Sequence, residues 1–136
     1  MRFKQLGTAV IELALVLPLL LLVLDGVIEF SLLMYDKVLI THAAREAVRA
    51  GVVLSIPKIT SEEIALVAQS YCANSLLSMG PGQTPIVSVL QSADPAFQTP
   101  LQVTVSFTYR SLLLNSVLSA LSTSIAMSST ATGLNE

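Results

Sequence analysis

The feature that most constrains this chain is the stretch LGTAVIEL at residues 6–13, which opens a long apolar run and places a carboxylate, Glu12, inside it. From residue 8 to residue 24 the only residues that are neither apolar nor small are Glu12 and Pro18. That run sits near the lower limit for a bilayer-spanning helix, about 17 residues. An ionised carboxylate there costs a few kcal/mol, so such residues pair, face a cavity or mark function. The bland alternative is that Glu12 lies close enough to the interface to reach headgroup water. It accounts for the charge being tolerated but not for its spacing, five positions after Gly7 and behind a basic start.

Charge along the chain orients the run. Residues 1–7 carry Arg2 and Lys4 and no acid, whereas the whole chain has a formal net charge of -2. A positive end before an apolar run suits a secretory signal or a membrane helix. A cleaved signal ends in a small-residue site, but here the run continues into LDGVIEF, so retention is expected. The positive-inside bias then predicts a cytoplasmic N-terminus, with everything after about Leu24 outside the cytoplasm. The apolar content of 53% and the mean hydropathy of +0.74 agree with a lipid-facing segment.

Beyond the run, residues 25–52 contain no proline and repeat apolar residues at helical spacing. One helix over 8–52 would measure about 68 Å at about 1.5 Å per residue, more than twice the roughly 30 Å hydrocarbon core. About half must project, with a kink expected at Pro18. Thr60-Ser61-Glu62-Glu63 has the form of a capping box and predicts a second helix that can run to Met79. Residues 86–90, 101–109 and 124–132 read as strands, the second by unbroken apolar/polar alternation. Residues 111–121 are leucine-rich and read as a short helix or loop. The expected fold is α+β: a long N-terminal helix packed on a small antiparallel sheet of about three strands, with a second helix in the connection. The expected divisions are a leader at 1–7, a transmembrane half at 8–24, a projecting half at 25–52 and a small extracytoplasmic domain at 53–136.

Several functions are disfavoured. The seven Lys and Arg residues are scattered, giving no basic surface for nucleic acid. Cys72 and His42 are each the sole residue of their kind. They read as structural rather than as a dyad. Tyr71, Ser88 and Thr104 show no catalytic partner pattern, and no metal or cofactor constellation is visible. On a helical wheel Asp25, Glu29 and Asp36 fall within about 40°, while Arg45 and Arg49 share another face. These read as solvated faces or, more sharply, as contacts between staggered neighbouring helices, acids of one against arginines of the next.

Gly7, four residues, then Glu12, behind a basic leader, resembles a type IV prepilin processing site. Together with ALVLP at 14–18, GVIEF at 26–30 and AAREAVRAG at 43–51, it resembles the N-terminal region of TadE-like pseudopilins of tight-adherence (Flp) pilus systems. The resemblance is strong over residues 5–53 and diffuse afterwards. It implies cleavage by an aspartic prepilin peptidase between Gly7 and Thr8, and an assembly role for Glu12 as partner of the new Thr8 amine. It also implies other pseudopilins, the major Flp pilin, an inner-membrane assembly platform and the lipid bilayer as partners. The expected location is the bacterial inner membrane, single-pass, with the C-terminal domain periplasmic or extracellular. Many members of the family it resembles carry a cysteine pair in the outer domain; Cys72 stands alone, so no intrachain disulfide follows. The alternative from another class is a secreted or single-pass envelope protein whose small domain binds a ligand.

Overall fold

The computed structural model describes residues 3–53, 56–73, 75–77, 84–91, 98–111 and 124–135, with the backbone alone at 3–6. Helix α1, Phe3–Val52, is 50 residues long and runs through Pro18 without a break. At about 1.5 Å per residue it is a rod of about 75 Å. Helix α2, Ser61–Ala73, follows, and then strands β1, Ile86–Leu90, β2, Pro100–Arg110, and β3, Ser124–Leu134. The strands form an antiparallel meander in the order β1-β2-β3. The α+β layout agrees with the sequence reading.

The alternation of β2 sets the architecture. Leu101, Val103, Val105, Phe107 and Tyr109 are all buried and point to one face, toward the helices. Opposite them on β3 stand Gly133, Ala131, Ser129, Met127 and Ile125. The distal part of α1 meets this face with Ile40, Ala43, Ala44, Ala47 and Val48, joined by Ile64, Ala68 and Cys72 of α2. Small residues allow close approach. A Cβ on Gly51 would lie 2.5 Å from Leu101 Cδ2 and 2.8 Å from Ile64 Cδ1, and one on Gly133 would lie 2.6 Å from Val48 Cγ1. On the other face of the sheet the hydroxyls of Thr104 and Thr130 meet at 3.0 Å.

The capping box forms as the sequence indicates. Thr60 N donates to Glu63 Oε2 at 2.9 Å, and Glu63 N donates to Thr60 Oγ1 at 3.3 Å. The Thr60 amide, and its hydroxyl donating to the same Oε2 at 3.0 Å, hold the exposed Glu63 carboxyl below the usual glutamate value. Helix α2, however, ends at Ala73 rather than running to Met79. Ser75 N and Leu76 N both turn back onto Cys72 O at 3.2 Å. The next amide, Leu77 N, donates to Asp36 Oδ1 at 3.0 Å, so a side chain on α1 takes the donor that another helical turn would need. Of the stripe expected on α2, Ile64, Ala68 and Cys72 are buried, Val67 is half-buried and Tyr71 is exposed. The strands extend beyond the expected ends, β2 by one residue at each side and β3 to Leu134. The leucine-rich segment at 111–121 lies outside the described residues except for Ser111.

Candidate functional site

Two groups of residues along α1 bear on function. The first is the segment around Gly7, Thr8 and Glu12. All three lie within the helix and are exposed, and a Cβ added at Gly7 would meet nothing within 4 Å. Glu12 sits one turn beyond Thr8. Side chains on a helix lean toward its N-terminus, so the carboxylate reaches back along the Thr8 turn. The surrounding helix is apolar and bare: it is long and apolar enough to cross a membrane, and none of its most apolar 18-residue window is buried.

The second group is the acidic stripe. Asp25, Glu29 and Asp36 fall on the same face of α1 as Ile40, Ala43 and Ala47, the face that packs on the sheet. Glu29 is buried beneath the end of β2. It accepts a hydrogen bond from the Tyr109 hydroxyl and one of 2.8 Å from Ser111 Oγ. Burial, with the Glu29 carboxylate as hydrogen-bond acceptor and near charge, pushes the Tyr109 phenol far above its ordinary value. Asp36 is fully buried; Oδ1 accepts the Leu77 amide and Oδ2 has no hydrogen-bond partner among the described residues. Burial raises its carboxyl, with the Leu77 bond opposing. Burial, and then the charge of Asp36, raises the Cys72 thiol as well. A buried thiol held protonated is a poor nucleophile, in keeping with a packing role. Asp25, half-buried, has Oδ1 enclosed and without a partner among the described residues.

Arg45 and Arg49 are exposed on the opposite side of α1. The structure therefore separates the acids from the arginines within the chain and gives Glu29 and Asp36 partners from the chain's own head. Of the stripe, Asp25 alone keeps partly exposed surface. The residues that sequence reasoning missed are Tyr109, Ser111 and the Leu77 amide. Two signals pointed to them: the acids share a wheel face with Ala43 and Ala47, and the buried alternation of β2 ends in a tyrosine whose hydroxyl needs a partner.

These features define a class of protein: an apolar, membrane-capable rod carrying a small α+β head on one side of its distal half. Residues 7–49 match the family model described as TadE-like protein. The matched segment begins at Gly7 and ends where α1 has packed on the sheet, in agreement with the resemblance carried by the sequence motifs. No match was found among curated proteins or solved structures. The match and the bare apolar helix together fit a membrane-associated component of a Tad pilus system.

Proposed function

We propose that this protein is a membrane-anchored minor pseudopilin, a structural and assembly component of a Tad/Flp pilus without catalysis of its own. The observation that supports this best is a coincidence of position. The TadE-like match begins at Gly7, where a glycine with an open Cβ direction precedes Thr8 and stands five residues before an exposed carboxylate on a bare apolar helix. In this reading the chain inserts with its N-terminus in the cytoplasm, and prepilin peptidase cuts the Gly7-Thr8 bond. The cut removes Arg2 and Lys4 and leaves an ammonium at Thr8. Glu12 pairs with that ammonium, in the same chain or a neighbour, which offsets the cost of a carboxylate in lipid and fixes axial register between subunits. Other pseudopilins, the major Flp pilin and an inner-membrane assembly platform are the partners this role requires.

The experiment separates processing from assembly. Glu12→Val, expressed with the other pilus components, should still be cleaved. Its in-membrane crosslinking to other pseudopilins should fall roughly tenfold or more, the consequence of losing about 1.4 kcal/mol of pairing. Crosslinking equal to that of the unaltered chain would sink the role given to Glu12.

A further inference from the structure

The head covers one face of α1 and leaves the other bare well past Leu24. Val27 and Phe30 are each 63% exposed, Met34 45% and Val38 55%, all pointing away from the sheet. A helix face turned to water is normally polar. Between Leu13 and Val38 the charged residues are Asp25, Glu29, Asp36 and Lys37. The three acids turn toward the head, and the Lys37 ammonium donates to the Ser128 carbonyl of β3. Arg45, Glu46 and Arg49 are the first charged side chains on the outward side. The uncharged polar side chains within the stretch are Ser31 and Tyr35. Ser31 returns its hydroxyl to Val27 O at 2.8 Å, the local satisfaction a serine needs where water is scarce, and Tyr35, 48% exposed, is amphipathic and stands toward the far end, as interfacial tyrosines do.

We propose that the outward face of α1 over residues 27–38 is a lipid contact, so that the far edge of the bilayer lies near Lys37 and Val38 rather than at Leu24. Length supports this when the proposed pair of Glu12 and the Thr8 ammonium marks the near end of the hydrocarbon core. About 20 helical residues cross the hydrocarbon core, and counting from Leu13 they end at Leu32. A headgroup layer of about 5–7 Å adds roughly four or five residues at about 1.5 Å each, which reaches Asp36 and Lys37. The face is continuous with the bare half of the helix and shows no change of character at Leu24. It gives way to Arg45 and Arg49, charged side chains that stand about 10 Å or more past Val38, clear of the proposed bilayer edge. Asp25 and Glu29 then lie at a depth where a carboxylate facing lipid would be costly, and they face the head instead; Glu29 has two hydroxyl donors there.

The inference rests on the bare apolar run of α1 entering the bilayer, and one experiment tests both. The chain contains no tryptophan, so Leu20→Trp, Met34→Trp, Val38→Trp and Arg49→Trp each give a single reporter at an exposed position. The full chain is reconstituted in vesicles of phosphatidylcholine and phosphatidylglycerol with plain or brominated acyl chains. Bromine should quench Leu20→Trp most, Met34→Trp clearly but less, and Val38→Trp least, leaving Arg49→Trp unquenched. If Leu20→Trp is quenched while Met34→Trp and Val38→Trp behave like Arg49→Trp, the lipid contact is overturned and the span stands. If Leu20→Trp itself escapes quenching, both readings fall. Blue-shifted but unquenched emission at Met34 and Val38, with crosslinking between copies at those positions, assigns the face to a second copy and overturns the proposal.

Discussion

The two halves of α1 are both apolar and both helical, yet they meet different surroundings. The first half is bare on every side, built from leucine and valine with no buried face. The second half presents one face of Ile40, Ala43, Ala44, Ala47 and Gly51 to the sheet, and the three acids lie on that same face. Hydrophobicity alone does not separate them. Residue size does, because small side chains let a sheet approach the helix axis, and so does the direction in which charge points. A lipid-facing helix has no reason to be small on one side, and a helix packed on protein can place a carboxylate where donors await it.

This comparison breaks most visibly at the core. Phe107→Ala empties part of the head beneath α1 and should destabilise it by about 3–5 kcal/mol, whereas Leu20→Ala, on the bare half, should leave head stability unchanged. Denaturant unfolding of the full chain in detergent micelles, followed by tyrosine fluorescence, reads both. Equal effects would mean that the halves are not energetically distinct.

How much of this was legible follows from the same contrast. The long apolar helix, its continuity past residue 24, the capping box and the strand at 101–109 were readable because each rests on local periodicity or local hydrogen bonding. The end of α2 was not, since it is decided by Asp36, distant in sequence, taking the Leu77 amide. Nor was the role of Glu29 and Asp36. Read as a stripe by themselves, they suggested a partner outside the chain. Read together with Ala43 and Ala47 on the same wheel face, they would have pointed inward. Which residues donate to them depends on where β2 ends over α1, a tertiary fact. The segment around Glu12 is different again: its proposed meaning lies in spacing and not in packing, so the fold neither adds to it nor takes from it.

A second, smaller contrast uses glycine. Gly51→Ala places a methyl against Leu101 and Ile64 and should cost about 1–3 kcal/mol, tempered by how far those flexible side chains can shift. Gly26→Ala meets nothing within 4 Å and should lose no stability. Thermal unfolding of the two variants in the same detergent gives the comparison, and a larger loss at Gly26 would contradict the placement of the sheet.

The smallest effect concerns the clasp between Glu29 and Tyr109. The folded chain holds the Tyr109 phenol above the ordinary value of 10.0, so the unfolded chain releases its proton first as pH rises. The stability it contributes is complete below pH 10 and is lost as pH climbs through the folded value. Tyr109→Phe should flatten the alkaline fall in stability while lowering stability at neutral pH, because Glu29 loses a donor. An unchanged alkaline slope in the variant would remove Tyr109 from the account.

The central claim, that the bare half of α1 is the anchor of a processed pseudopilin, is tested most directly at one peptide bond. The intact mass and N-terminal sequence of the chain recovered from membranes of cells with active prepilin peptidase should show a start at Thr8. Gly7→Leu should block the cut without disturbing the head, since Gly7 contacts nothing on its open side. A chain that keeps its first seven residues beside an active peptidase, or one cut near residue 26, would contradict it.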